Sequence, residues 1–289
     1  MANGLILKMA AHKIALFLLV FVLFFSCGPC QGSNRGTGTR ETDRVTLHST
    51  FVQDSFDIYV TLPPNYPNSQ KSFPMVVYMD ANLKSGQKLR AIVDELEEKG
   101  GTIDAVFVGI GHFGSYAVRR RDFITPSINQ NNTLISDDPM YGQAERFYAF
   151  LRRELIPYVE GKYRVNPNRT LIGHSLGGLF TFYCLFKKER LFTNFVALSP
   201  SLWVNNENIY DFLMRYRRDS TDLHASLYLC VGGAEKLNFI LSGAHKMKAY
   251  LEKNRFKSLH FEYEEFPGET HISEVPLALN KLLPMLKLQ

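Results

Sequence analysis

Tryptophan occurs once in this chain and cysteine four times. Cys27 and Cys30 fall near the N-terminus, which leaves Cys184 and Cys230 for the body of the protein. So few cysteines exclude a disulfide framework as the main source of stability. Both body cysteines lie in apolar stretches and read as buried free thiols, with a bridge between them left open. No set of cysteines and histidines completes a zinc site, so the sequence asks for no metal and no other cofactor. Excess charge is also missing. The formal net charge is +5, of which Lys8 and Lys13 supply two, and no basic run exceeds three residues. That balance argues against a nucleic-acid partner. There is no internal repeat, and the apolar run at 14–25 is too short for a comfortable membrane span.

That short run nevertheless has a recognisable setting. Lys8, His12 and Lys13 precede it, and Ser26-Cys27 follows it. Residues 1–26 therefore have the plan of an export signal. A small residue directly before a cysteine resembles a bacterial lipoprotein signal, which is cut so that the cysteine, here Cys27, carries lipid. Ordinary cleavage near Ser26 and an uncleaved anchor are the alternatives. Residues 27–44 are rich in Gly, Ser, Thr and Arg and read as a flexible tether. The expectation is an exported, periplasmic or cell-envelope protein held to a bacterial membrane by an N-terminal lipid anchor.

Residues 45–289 are enough for one α/β domain with a substantial core. Residues 45–51 and 56–62 alternate apolar with polar and read as an antiparallel hairpin. From residue 73 onward, apolar runs alternate with helical spacings. Strands are expected at 73–79, 105–110, 170–172, 194–198, 226–231 and 260–266. Helices are expected at 88–99, 143–158, 176–186, 209–217, 242–253 and 275–286. This alternation implies a mostly parallel sheet covered by helices on both faces, with the hairpin as an antiparallel edge. Residues 111–140 read as one long irregular loop, a feature often tied to function.

The densest signal is Gly173-His174-Ser175-Leu176-Gly177-Gly178, placed between a short apolar run and a helix. G-x-S-x-G in that context is a nucleophile elbow. The glycines at 173 and 177 are expected where a Cβ would strike neighbouring backbone. Ser175 is the expected nucleophile. A serine hydroxyl needs a base, and the base an orienting acid, in the chain order Ser, acid, His. His271, in a loop after a late strand, fits the base, with His112 as its main competitor. Glu235, after the strand at 226–231, fits the acid. Glu269 and Glu274 read as local surface charge. The first helical N–H, at Leu176, and an N–H from the loop Asp80-Ala81-Asn82 would bind the oxyanion, with Asn82 preferred to Ala81. Arg119, Arg120 and Arg121 either face an anionic substrate or pin the long loop through Asp122. Trp203 either lines a substrate pocket or packs the rim.

Three stretches also resemble the putative-esterase family of α/β-hydrolases: GHSLGGLF at 173–180, LFTNFVALSPSLWV at 191–204 and RRRDFITP at 119–126. The family includes enterochelin esterases, feruloyl and acetyl-xylan esterases, and mycobacterial antigen 85. The Ser-Pro-Ser-Leu-Trp and Arg-Arg-Asp…Thr-Pro segments look most like its periplasmic siderophore-esterase branch, the IroE type. The resemblance implies an α/β-hydrolase fold, ester hydrolysis, catalytic roles for Ser175 and His271, and an acid at Glu235. Family members commonly carry Asp-Gly where this chain has Asp80-Ala81, and some siderophore esterases work with a Ser-His dyad. The implied substrate is a small-molecule ester, a siderophore trilactone or an acylated saccharide. A hydrolase fold that only binds is the reading from another class, and the intact Ser175, His271 and Glu235 argue against it.

Overall fold

The structure is a computed structural model that describes residues 42–99, 103–113, 116–127 and 140–285. The export signal, Cys27 and residues 27–41 of the expected tether lie outside the described residues. The first strand, β1 (Thr42–Ser49), starts three residues before the expected hairpin strand at 45–51.

β1 pairs antiparallel with β2 (Asp54–Thr61), closing the expected hairpin. β2 pairs antiparallel with β4 (Val106–His112). From there the sheet is parallel through β3 (Phe73–Tyr78), β5 (Val165–His174), β6 (Asn194–Leu198), β7 (Ala225–Gly232) and β8 (Leu259–Phe266). The full order is β1-β2-β4-β3-β5-β6-β7-β8 in one 8-stranded sheet.

The central strands are buried on both faces, so they read as continuous apolar runs, and their side chains divide between two cores. Met75 and Val77 of β3 face one core, while Val76 and Tyr78 face the other. The smaller core is closed by α1 (Lys84–Glu98) through Leu89, Ile92 and Val93, and by α8 (Glu274–Leu282) through Val275, Ala278 and Leu279. The larger is closed by α3 (Ala144–Phe150), α5 (Leu176–Leu185) and α6 (Ile209–Asp219). Phe56, Phe147, Phe150 and Phe180 meet there at ring distances of 4.5 to 5.7 Å. After α3 the chain makes a π-helical turn over Leu151–Leu155 and continues as α4 (Ile156–Lys162). α7 (Asn238–Lys253) adds Met247 and Leu251 to the larger core. Cys184 and Cys230 are both free and buried, and burial raises both thiol pKa values.

The expected loop at 111–140 is corrected in its first half, which forms helix α2 (Tyr116–Phe123). This helix lacks an apolar stripe. It buries Arg121 and Asp122 beside Phe123, so a search for apolar periodicity passes over it. Residues 128–139 lie outside the described residues.

Candidate active site

The elbow joins β5 to α5. Ser175 sits at φ 59°, ψ −116°, a left-handed conformation costly for a residue with a Cβ. The surroundings hold it there. A Cβ on Gly173 would stand 2.1 Å from the Gly177 carbonyl oxygen, and one on Gly178 would stand 2.9 Å from Pro200 Cα. Gly177 is less constrained than its place in the motif implies, since the nearest atom its Cβ would meet is Met79 Cβ at 3.3 Å. The Ser175 N–H donates to Leu198 O at 2.9 Å, which ties the elbow to β6.

The Ser175 hydroxyl is hydrogen-bonded to Ser201 Oγ at 3.2 Å, and the Ser201 N–H donates to Ser175 O at 3.0 Å. No hydrogen bond joins Ser175 to His271 among the described residues. Unliganded catalytic hydrogen bonds are often long and tighten when substrate is bound. Ser201 was within a quoted motif, yet nothing in its sequence neighbourhood marks it as the partner of the elbow serine.

His271 and Glu235 are brought together from loops 36 residues apart, with Nδ1 3.0 Å from Oε1. The Glu235 side chain is 1% exposed and that of His271 28%. A buried carboxylate at Nδ1 orients the ring and leaves the other nitrogen for the substrate side. The two loops interlock through backbone. The Gly233 N–H donates to Phe266 O and the Ala234 N–H to Glu269 O, both at 2.8 Å. A Cβ on Gly232 would lie 2.4 Å from Glu269 O, so only glycine allows this approach.

His174, within the elbow motif, links the two halves of the site. Its Nε2 donates to the His271 carbonyl at 2.7 Å, and the two rings lie 4.5 Å apart. Burial and the neighbouring His271 push its pKa down to about 3, so the ring stays neutral at physiological pH. His112 is excluded as the base. Its ring is enclosed by Phe56, Phe123 and Phe147, with Nε2 3.2 Å from Asp122 Oδ2.

The loop after β3 reaches the elbow where Gly177 meets Met79 and Asp80. Leu176 supplies the first N–H of α5, which has no intrahelical acceptor. Ala81 is corrected as an oxyanion donor, because its N–H is already given to Ile110 O at 2.9 Å. The Asn82 N–H has no protein acceptor among the described residues. The Asn82 side chain is fixed by the His112 backbone, giving to its carbonyl at 2.8 Å and accepting from its N–H at 3.3 Å.

The three arginines do not form a common anion site. Arg119 makes a two-pronged bond to Asp80, at 2.6 and 2.7 Å, and so holds the loop before Asn82. Arg121 is buried, with a two-pronged bond to Asp122 at 2.6 and 2.9 Å and a third to Asp54 at 2.8 Å. Of the two expected readings Arg121 follows the second, pairing with Asp122, and its contact with substrate is corrected; the partners the sequence could not show are Asp80 and Asp54, 39 and 67 residues away. Only Arg120 is exposed, over the Tyr141 ring. Trp203 is 41% exposed and lies 4.4 Å from the Phe239 ring. Glu274, expected at the surface, is instead fully buried. A surface cavity of about 630 Å³ is lined by Tyr148, Arg153, Phe212 and Arg215 and includes none of the predicted site residues.

Comparison with known proteins identifies the family. The family model described as "Putative esterase" matches residues 49–282. Ferri-bacillibactin esterase BesA of Bacillus subtilis is 30% identical over 246 residues, covering 79% of this chain and 83% of that protein. The BES protein structure from Bacillus cereus superposes with a TM-score of 0.71 at 27% identity, covering 89% of this chain and 98% of that one. An IroE-like serine hydrolase from Shewanella oneidensis gives 0.73 at 23% identity, covering 85% and 80%, and so supports the fold. With its matched span and its hydrolase sheet, the chain belongs to the putative-esterase family and is an ester hydrolase.

Proposed function

We propose that this enzyme opens ester bonds of a siderophore through an acyl-enzyme on Ser175, with His271 as general base and Glu235 as its orienting acid. The observation that carries the catalytic assignment is the buried Glu235 carboxylate 3.0 Å from His271 Nδ1, in a loop bonded to His174 beside the elbow serine. The substrate assignment draws on the 30% identity to a protein named as a ferri-bacillibactin esterase.

The chemistry runs in two halves. Ser175 Oγ attacks the ester carbonyl as His271 Nε2 takes its proton. The N–H groups of Leu176 and Asn82 receive the oxyanion, and His271 returns the proton to the departing alcohol. Water then repeats the sequence on the acyl-serine, releasing the acid and restoring Ser175. Glu235 stays ionised throughout and stabilises the imidazolium. Trp203 and Phe239 offer aromatic surface to an aryl-bearing ester. Arg120 is the one arginine of its cluster left to meet anionic groups. Lipidation of Cys27 would hold the enzyme at the cell envelope.

The test is incubation of the purified protein with ferric and iron-free enterobactin, beside acetylated and feruloylated oligosaccharides, followed by mass spectrometry. Trilactone opening by the wild type, reduced about 10⁴-fold or more in Ser175→Ala, is the expected result. Release of acetate or ferulate with no opened lactone would keep the mechanism and replace the substrate with an acylated saccharide. A wild type left unlabelled by a fluorophosphonate would overturn the Ser175 assignment.

A further inference from the structure

Ser201 carries a buried hydroxyl that the proposed mechanism does not use. The residue is 4% exposed. Among the described residues its Oγ has one hydrogen-bond partner, Ser175 Oγ, at 3.2 Å. A buried hydroxyl left without a partner is costly, so the pairing is part of what the folded site must keep.

Backbone bonds fix Ser201 in place. Its N–H donates to Ser175 O at 3.0 Å, and its carbonyl accepts from the Val204 N–H at 3.2 Å. Two residues earlier, Ser199 stands at φ 39° and gives its N–H to Cys230 O at 2.9 Å. Between them, Pro200 lies so near the elbow that a Cβ on Gly178 would stand 2.9 Å from its Cα. The loop after β6 is thus fastened to β7 on one side and to the elbow on the other. The Ser201 hydroxyl meets the nucleophile without rearrangement, which is the condition under which a polar group best supports a developing charge.

We propose that Ser201 is a further catalytic residue, a hydrogen-bond donor to Ser175 Oγ that stabilises the negative charge this oxygen gathers while its proton passes to His271. The inference rests on the reading of Ser175 and His271 as nucleophile and base. Either hydroxyl can donate while both keep their protons. Once the Ser175 proton moves to His271 Nε2, Ser175 Oγ has only lone pairs, so the bond runs from Ser201 to Ser175. Ser201 keeps its own proton throughout, and the proton on His271 still goes to the departing alcohol. The same charge returns in the second half, when Ser175 Oγ leaves the acyl carbon and takes a proton back from His271. A bond to a charged oxygen is about twice as strong as one between neutral groups. The interaction is therefore stronger in the two transition states than in bound substrate or in the acyl-serine, and such an interaction raises kcat with little effect on KM.

The test uses the full-chain protein with p-nitrophenyl acetate as substrate and a fluorophosphonate as label. Ser201→Ala should lower kcat about tenfold or more, keep KM within about threefold, and slow labelling of Ser175 by a similar factor. Ser201→Thr keeps the donor and should stay within about threefold of the wild type, whereas Ser201→Cys fills the same space with a weaker donor and should resemble alanine. A packing role gives the reverse order, cysteine active and threonine impaired, and overturns the proposal. So does an alanine variant as fast as the wild type, or one that is faster, which would make Ser201 a restraint on the nucleophile. If Ser201→Ala fails to fold, the comparison of threonine with cysteine decides the matter by itself. A wild type that resists the fluorophosphonate discards Ser175 as nucleophile and Ser201 with it. A labelled wild type beside an unaffected Ser201→Ala discards the role of Ser201 alone.

Discussion

His174 and Ser175 are adjacent in the chain and have opposite tasks. Ser175 is strained outward at φ 59°, where its hydroxyl meets Ser201, while His174 is turned inward and donates to the His271 carbonyl. Replacing Ser175 by alanine should therefore remove turnover while the melting temperature stays within a few degrees of wild type, because only one small side-chain atom is lost. Comparable activity in that variant would refute the assignment. Glu235→Gln should lower kcat about 10²-fold or more, since the amide can present the wrong hydrogen-bonding group to Nδ1; a loss below tenfold would point to a Ser-His dyad. His174→Ala should leave KM within about threefold and cut kcat by tenfold or more, through a His271 loop that has lost one anchor. The elbow serine and the late-loop histidine were legible as candidates from motif and chain order. The role of His174 was not, because the bond runs to a residue 97 positions away.

At the scale of elements, α2 and the two late loops decide the site. α2 carries Arg119, whose guanidinium pairs with an Asp80 side chain that is 1% exposed. Asp80 itself stands at φ 58°, immediately before the loop that offers the Asn82 N–H. Breaking this pair leaves a buried aspartate uncompensated, so Arg119→Ala should destabilise the protein by about 3 kcal/mol and lower kcat along with it. Lysine at this position cannot reproduce the two-pronged bond and should restore less than half of the loss. Chemical denaturation and steady-state kinetics on both variants check this. Gly232→Ala should separate the acid loop from the base loop, because its Cβ would fall on Glu269 O. A drop in kcat exceeding that of Glu235→Gln is not expected, since the carboxylate remains present.

For the whole molecule, the two buried groups beside the site shape stability against pH with opposite signs. His174 has a folded pKa near 3 against an ordinary 6.5, so the unfolded chain binds the extra proton and stability is lost as pH falls below 6.5. Glu274 has a folded pKa near 8 against an ordinary 4.5, so the folded chain holds the extra proton and stability is lost as pH rises above 4.5. Between 4.5 and 6.5 the two slopes oppose each other. The melting temperature should be nearly flat across that interval, fall toward pH 8, and fall again toward pH 3. Glu274→Gln should remove the alkaline fall and His174→Asn the acid one. A calorimetric series in buffers of matched ionic strength reads both, and unchanged slopes in the variants would contradict this account.

The sequence alone was sufficient for the α/β class, the order of the strands and of the helices other than α2, the elbow turn, and the candidate serine, acid and histidine in chain order. Each of these depends on neighbours within a few residues: apolar runs for buried strands, 3.6-residue spacing for α1 or α6, glycines where backbone crowds backbone. It did not reveal α2, because that helix buries an Arg–Asp pair in place of an apolar face. Nor did it show that Arg119 and Arg121 reach Asp80 and Asp54, that Ala81 has already given its N–H to β4, or that Glu274 lies in the interior. Those outcomes depend on which groups the folded chain brings together from distant parts of the sequence. Whether a charged side chain is free, paired or forced to keep its proton is set by the water and the partners left around it, and only the tertiary structure determines both.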